Sequence, residues 1–481
     1  MEKVEIGTPR KINSGLILLG LSLATLMTSI DTNIVSIGLP IITKSLNTNF
    51  SSAQWIILSY LLSITVLIVG VGRIGDMFGK RNLYLTGIAI FTFASLVCGF
   101  SSSVYMLITA RILQGVGGAI LMAMSFALVG DLFSKEKISQ AMGFLTSMLT
   151  LGIALGPSLG GVLISMFGWH IIFLVNIPIG IGAFVIAFQF PKMKVTHAKQ
   201  GFDWLGVMVL AVALICYNLG ITFSEAQGAS VTVVSLLTFA AISTIVLLLV
   251  EKKVSSPLID LTIFQNKVIS GSLAISMIVY AMIMTISIVL PFFLTDAQRL
   301  STVEVGLLIA VGPLATTILG PIAGKAASRF GNQAVMIAGM IGFGIGCCLM
   351  TTLTKNSSPF DFALRIAISN GSFAFFQTPN NAAVITSAQP EQRGVISGLL
   401  NLARTLGQTT GASLMGAIYA YFTMAAQKAH SGEVHGSTSS ITPAAIISGV
   451  HGTFLVVTVA VLIAIIIGIF TLSQKKESST D

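Results

Sequence analysis

Residues 16–42 read LILLGLSLATLMTSIDTNIVSIGLPII and contain a single formal charge, that of Asp31. They form the centre of an apolar run that covers residues 12–43. A helix of about 20 apolar residues crosses a bilayer, so this run predicts a tilted membrane-spanning helix. Because an ionised carboxylate inside such a helix is costly, Asp31 is expected to face a cavity or a partner rather than lipid.

The composition extends this interpretation to the whole chain. Hydrophobic residues make up 54% of the sequence and charged residues 9%, whereas soluble proteins carry about 25% charged residues. Hydrophobic runs recur along the whole length, so we predict an all-α polytopic membrane protein. The net charge of +9 is spread over short loops, which argues against a nucleic-acid partner.

The motifs of cofactor-dependent chemistry are missing from the sequence. It has no G-x-x-x-x-G-K-[ST] phosphate-binding motif. Its five histidines and four cysteines form no metal-binding or redox motif. We therefore expect no cofactor, no metal and no enzymatic activity, and any uphill work must draw on an ion gradient.

Fourteen apolar runs are predicted to span the membrane. They divide the chain into a tail at 1–13, a six-helix bundle at 14–190, an extra helix pair at 204–250, a second six-helix bundle at 268–472 and a tail at 473–481. Nineteen of the 26 lysines and arginines fall on the side of both tails, and four fall on the other side. Because positive charge marks the cytoplasmic side, both termini are predicted to be cytoplasmic.

The two bundles repeat in sequence. Segments recur at offsets of 252 and 255 residues: GRIGDMFGKR at 72–81 aligns with GKAASRFGNQ at 324–333, and LGIALGPSLGG at 151–161 aligns with LGQTTGASLMG at 406–416. This shift predicts parallel repeats, with a substrate site between them near mid-membrane. Asp31 aligns with Met282 and Asp76 with Ser328, so the acids are confined to the first bundle.

Two interpretations of Asp31 stay open. It can be a protonatable group that couples ion movement to transport, and its anion can also attract a cationic substrate. It can instead be a hydrogen-bonded contact with Thr28, Thr32 or a neighbouring helix. Because acids inside membrane helices are rare, we favour the functional interpretation.

Arg111 is a second charge predicted to lie inside a span, and Gln114 lies one turn further on the same helix face. A buried arginine needs a carboxylate or several carbonyl groups as partners. Arg111 therefore either tunes a proton-accepting group or fastens a loop by its carbonyls, and the sequence does not decide between the two.

The segment 72–81 is predicted to be a tight cytoplasmic turn between spans 2 and 3. Its glycines permit close helix approach, and Asp76 can accept from backbone donors at the start of the next helix or pair with an arginine. We interpret it as a latch that holds one conformation, the alternative being a plain loop. The candidate latch residues are Gly72, Arg73, Asp76, Gly79 and Arg81.

The segment 151–161 places small residues along one face of span 5. Gly152, Gly156 and Gly160 follow one another at intervals of four, with Gly161 beside them, and Pro157 is expected to add a kink. Such a helix can rock against a partner at the interface of the two bundles, or it can simply pack tightly.

Taken in order, GRIGDMFGKR, RILQGVGGA at 111–119 and LGIALGPSLGG resemble the signature motifs of the major facilitator superfamily. Four further segments are similar to its fourteen-helix drug:proton antiporter branch: DTNIVSIGLP at 31–40, GWHIIFLVNIPIG at 168–180, FDWLG at 202–206 and PLIDLTIF at 257–264. The resemblance implies two parallel six-helix repeats plus two extra central helices. It also implies a protonation role for Asp31, a proton-coupling role for Arg111 and an antiporter motif at 152–161.

The function implied by this resemblance is multidrug efflux. We expect a monomeric, proton-coupled antiporter of a bacterial cell membrane that exports small amphipathic, often cationic, compounds by alternating access. A flippase for lipid or cell-envelope precursors and a specific metabolite exporter are alternatives on the same scaffold. A membrane sensor or assembly subunit without turnover is disfavoured by the lack of large soluble domains.

Overall fold

The computed structural model describes residues 13–48, 50–191, 201–228, 230–254, 256–431 and 442–472. Apart from Asn13, the two predicted tails lie outside these residues. The described chain folds into fifteen α-helices: α1 Ser14–Ser45, α2 Phe50–Phe78, α3 Lys80–Gly99, α4 Val104–Leu132, α5 Lys135–Phe167, α6 Ile171–Leu174, α7 Asn176–Ala187, α8 Trp204–Gln227, α9 Val231–Glu251, α10 Lys267–Phe292, α11 Thr302–Phe330, α12 Asn332–Met350, α13 Pro359–Ser387, α14 Arg393–Ser431 and α15 Pro443–Leu472.

Each predicted span coincides with helix in the structure, because lipid forces the backbone to satisfy its hydrogen bonds internally. Eleven of the described helices are long and apolar enough to cross a membrane. The other predicted spans correspond to the α6–α7 segment, which is short, and to α13 and α14, which carry more polar side chains. The total of fourteen crossings stays a prediction.

Two local predictions need correction. The segment 72–81 is not a loop, because α2 continues to Phe78 and α3 begins at Lys80, which leaves Gly79 alone at the turn with φ 100°. The predicted sixth span is two helices that meet at Val175. Pro178 explains the break, because a proline has no N–H to donate to the carbonyl of Leu174.

The helices form two groups with equivalent packing. In the first half, α1–α7, the main contacts are α1 with α5, α2 and α3 with α4, and α1 and α3 with α7. In the second half, α10–α15, they are α10 with α14, α11 and α12 with α13, and α10 and α12 with α15. Each contact in one half thus has its counterpart in the other.

The halves meet along two helix pairs, α5 with α11 and α2 with α14. Ser147 Oγ donates to the Thr317 carbonyl at 2.7 Å, and the Thr150 and Thr317 hydroxyls lie 2.9 Å apart. These contacts lie near the middle of α5 and α11. Nearer the start of α5, the Ser139 hydroxyl donates to Asn332 Oδ1, at the start of α12, at 2.8 Å. This hydrogen bond lies towards the end of the bundle at which α1 begins. The extra helices α8 and α9 pack on each other, and α8 also contacts α2 and α14.

Candidate functional site

A fully buried polar network surrounds Asp31 in the first half. Arg111 Nη1 lies 2.5 Å from Asp31 Oδ2, and Gln114 Nε2 donates to Asp31 Oδ1 at 2.8 Å. The amide of Asn176 donates to the same Oδ1 at 2.9 Å. The three predicted residues Asp31, Arg111 and Gln114 therefore meet at one point, although they lie on two different helices.

Arg111 combines both of the partner types considered for it. Besides the Asp31 carboxylate, its Nε donates to the carbonyl of Ile56 at 3.0 Å. Its guanidinium carbon lies 3.9 Å from the centroid of the Tyr60 ring, which adds a cation–π contact. The arginine thus links α4 to α1 and α2, and its charge is balanced by the carboxylate.

Apart from Gln114, the sequence did not single out the neutral members of this network. Ser95 Oγ accepts from Gln114 Nε2 at 2.8 Å, and Asn176 lies at the α6–α7 break, where it can point at Asp31. Serine, asparagine and tyrosine are ordinary residues in such helices. The one sign in the sequence was the position of Asn176, a polar residue two positions before the helix-breaking Pro178.

The network can change its charge in one step. While Asp31 is ionised, the pair is neutral overall, and both carboxylate oxygens accept hydrogen bonds. A proton on Asp31 would leave Arg111 as a buried cation without its counter-ion, which is a costly state. Both side chains are fully buried, so no water would screen that cation.

A central cavity of about 590 Å³ lies between the halves. It is lined by both halves and by α8, so this member of the extra helix pair is not peripheral. Its lining residues are mostly apolar or neutral polar, and among them are Thr28, Thr32, Asn218, Tyr280, Gln377 and Arg404. Asp31 is not among them: α1 turns Thr28 and Thr32 to the cavity and Asp31 into the first half.

A second network fastens the two halves at the end where α1 begins. We call it the latch network and define it as Asp76, Lys80, Asp131 and Arg393. Lys80 Nζ lies 3.1 Å from Asp76 and 2.8 Å from Asp131, and Arg393 Nη1 lies 2.7 Å from Asp131. Arg393 belongs to the second half, so the network includes an ion pair between the halves.

Asp76 makes a further link across this interface. Its two carboxylate oxygens accept from the backbone N–H groups of Gly394 and Val395, each at 2.9 Å. The sequence predicted backbone donors at the next helix or an arginine partner. The donors instead belong to the first turn of α14, and the partner is Lys80. A helix N-terminus favours a carboxylate through its dipole and its free N–H groups.

The other predicted latch residues have distinct places. Gly72 lies against the Gly394 carbonyl, where a side chain would collide with the α14 backbone. Arg73 is half-buried in α2 and interacts electrostatically with Glu251 at the end of α9. Arg81 donates to the carbonyl of Phe188, just beyond α7, so it packs within the first half and lies outside the latch network.

The glycines of 152–161 pack against α1 and not at the interface of the halves. A β-carbon added to Gly152 would lie 2.6 Å from Ser29, and one added to Gly156 would lie 2.7 Å from Asn33. Gly160 faces Ile34 in the same way, whereas nothing lies within 4 Å of a β-carbon added to Gly161. Pro157 lies within α5, and its side chain is outside the described residues.

Comparison with known proteins gives relatives that cover most of the chain. The "Uncharacterized transporter YebQ" of Escherichia coli is 30% identical over 83% of this chain and 87% of its own. The "Riboflavin transporter RibZ" of Clostridioides difficile is 28% identical over 84% and 88%. The "Multidrug resistance protein Stp" of Mycobacterium tuberculosis is 28% identical over 86% and 78%.

Solved structures show the same architecture. The crystal structure of the human organic anion transporter MFSD10 matches with a TM-score of 0.65 over 94% of this chain and 98% of its own, at 14% identity. At that identity the likeness concerns the fold alone. The model of the Major Facilitator Superfamily matches residues 21–256 and 272–481. The chain therefore belongs to the Major Facilitator Superfamily and is a multi-pass membrane transporter.

Proposed function

We propose that the protein is a proton-coupled antiporter that exports amphipathic compounds from bacterial cells by alternating access. The observation that carries this proposal is the fully buried Asp31–Arg111 pair beside a central cavity. The pair supplies a group that can gain a proton, and the cavity supplies room for a small organic molecule. We place both termini in the cytoplasm, in line with the charge distribution, and take the monomer as the working unit.

Helix α1 connects the proton site with the cavity. It carries Asp31 on one face and the cavity residues Thr28 and Thr32 on the other. When Asp31 takes a proton, Arg111 loses its counter-ion and the carboxyl group keeps only neutral hydrogen bonds. The resulting shift of α1 against α4 changes the cavity wall, so proton binding and substrate binding oppose each other.

The latch network determines which side is closed in this conformation. The network and the Ser139–Asn332 hydrogen bond close the interface at the end where α1 begins, which is the predicted cytoplasmic side. The cavity then opens to the outside, which is where an exporter releases its substrate. Loading from the cytoplasm needs the opposite state, in which Asp76 has left the α14 backbone.

The names of two relatives leave two substrate ranges. The name of the Stp protein is that of a multidrug resistance protein, which supports a broad range of compounds. The name of the RibZ protein is that of a riboflavin transporter, and it supports the alternative of a single metabolite. Both alternatives use the same cavity and the same proton site.

Efflux from cells preloaded with a panel of dyes of either charge tests this proposal. We expect the wild type to expel at least one dye, a protonophore to stop the efflux, and Asp31→Asn to abolish it at equal expression. Asp361→Asn is the matched control, because Asp361 pairs with Arg365 near the surface and its loss should leave efflux unchanged. Full efflux by Asp31→Asn would contradict proton coupling through this residue, and no efflux of any dye would favour the single-metabolite alternative.

A further inference from the structure

Arg404 gives the central cavity its charge. Among the described residues that line the cavity, it is the one side chain that carries a formal charge. It lies on α14, is 9% exposed, and forms none of the ion pairs found in the described part of the chain. Its Nε has no hydrogen-bond partner among the described residues, and its guanidinium interacts with the neutral hydroxyl of Tyr280, which brings no counter-charge.

The contrast with Arg111 shows what Arg404 lacks. Arg111 is neutralised by Asp31, bound to the Ile56 carbonyl and stacked on Tyr60. A guanidinium stays protonated at physiological pH, and burial without a counter-ion is costly. Arg404 is buried without a counter-ion in the wall of a cavity large enough for a ligand. An acidic group on that ligand would supply the counter-ion.

We propose that the substrate carries an anionic oxyacid group, such as a carboxylate, sulfonate or phosphate, and that Arg404 binds it. The guanidinium can bind such a group by two parallel hydrogen bonds. Tyr280 and Gln377 also line the cavity and can contribute polar contacts. The apolar body of the substrate would then lie against neighbours such as Phe373 and Met284.

This inference rests on the proposed transport function and changes its substrate class. The sequence favoured cationic compounds because Asp31 could attract them. In the structure the carboxylate of Asp31 is paired with Arg111 and does not line the cavity. The field that a ligand meets there comes from Arg404 and repels cations.

The test compares two dyes that share a xanthene ring system and differ in charge, anionic fluorescein and cationic rhodamine 123. Binding of each to the purified full-length protein in uncharged detergent is measured by fluorescence anisotropy. We expect the wild type to bind fluorescein more tightly, by about tenfold or more. Arg404→Gln should weaken fluorescein binding roughly tenfold to a hundredfold, which is the loss of affinity expected when a charge-assisted hydrogen bond is removed. The same variant should not weaken rhodamine 123 binding.

Two variants serve as controls. Arg404→Lys keeps the charge and should retain part of the affinity for fluorescein, since the fork geometry alone is lost. Arg329→Gln removes a positive charge from an exposed position on α11 and should bind both dyes as the wild type does. If Arg404→Gln does not fold, the wild-type preference between the two dyes still decides.

Tighter binding of rhodamine 123, unchanged fluorescein binding in Arg404→Gln, or binding of neither dye would overturn the inference. Binding in detergent needs no proton gradient, so it separates this inference from the proposed function. Arg404-dependent fluorescein binding without any cellular efflux would contradict export alone. Efflux of fluorescein that persists unchanged in Arg404→Gln would contradict the substrate class alone.

Discussion

The two halves of the molecule share their helix packing and differ in their charges. The first half buries the pair of Asp31 and Arg111 completely. In the second half, Met282 aligns with Asp31 and lies in an apolar cluster. Arg365 aligns with Arg111 at an offset of 254 residues and is bound to Asp361 at 2.8 Å near the surface. Because the described part of the second half packs without a fully buried ion pair, helix packing alone does not require the pair in the first half, and this supports a functional role.

The glycine contacts are a feature that both halves share. Gly152 and Gly156 bring α5 close to α1, and Gly407 and Gly411 bring α14 close to α10. Here both halves keep the feature, as expected for a property that the scaffold itself needs. Features kept in both halves therefore indicate packing, and features found in one half indicate chemistry.

The largest expected effect comes from breaking the buried pair. Arg111→Gln leaves the Asp31 carboxylate buried without a counter-charge, so it should lower the free energy of unfolding by about 3–5 kcal/mol. The double variant Asp31→Asn with Arg111→Gln buries no charge at this site and should recover most of this loss. Thermal unfolding in detergent measures both. Equal stability of Arg111→Gln and the wild type would show that the pair carries little energy.

A smaller effect is expected at the latch network. Asp76 accepts a hydrogen bond from α14 of the other half. The aligned residue in the second half, Ser328, instead donates within its own helix to the Gly324 carbonyl. Asp76→Asn weakens charge-assisted bonds worth about 1.5–3 kcal/mol and should shift the population towards the state open at this end. Electron–electron distance measurements between spin labels at Lys135 and Arg329 would then show longer distances. Ser328→Ala is the matched control, and a shift of equal size in that variant would contradict the asymmetry.

The smallest effect is expected in the second half. Arg365 and Asp361 form a partly exposed pair four residues apart on α13, and such pairs contribute about 0–1 kcal/mol. Arg365→Gln should therefore change the thermal unfolding midpoint little, whereas the aligned Arg111→Gln lowers it strongly. A large loss of stability in Arg365→Gln would remove the distinction between the two arginines.

Sequence patterns could predict the helices and the members of the site that carry unusual chemistry. Asp31 and Arg111 are visible because charges are rare in apolar runs. Asn176 and Ser95 are not, because neutral polar residues are common there. The partners of Asp76 on α14 lie more than 300 positions away in the chain. Hydrophobic periodicity predicts local structure and does not indicate contacts over such a separation in sequence. Arg404 was visible as a charge in a span, but its lack of a counter-ion is a property of the folded cavity.

Helix α8 has a consequence for the speed of the transport cycle. It contacts α2 of the first half and α14 of the second, where the hydroxyls of Tyr217 and Thr410 share a hydrogen bond. A rigid helix cannot keep its register with two neighbours that rotate apart. If the halves rock as proposed, α8 must slip along one of them in every turnover. The breaking of the Tyr217–Thr410 hydrogen bond would then limit the rate of the cycle, although this bond involves neither the proton site nor the substrate.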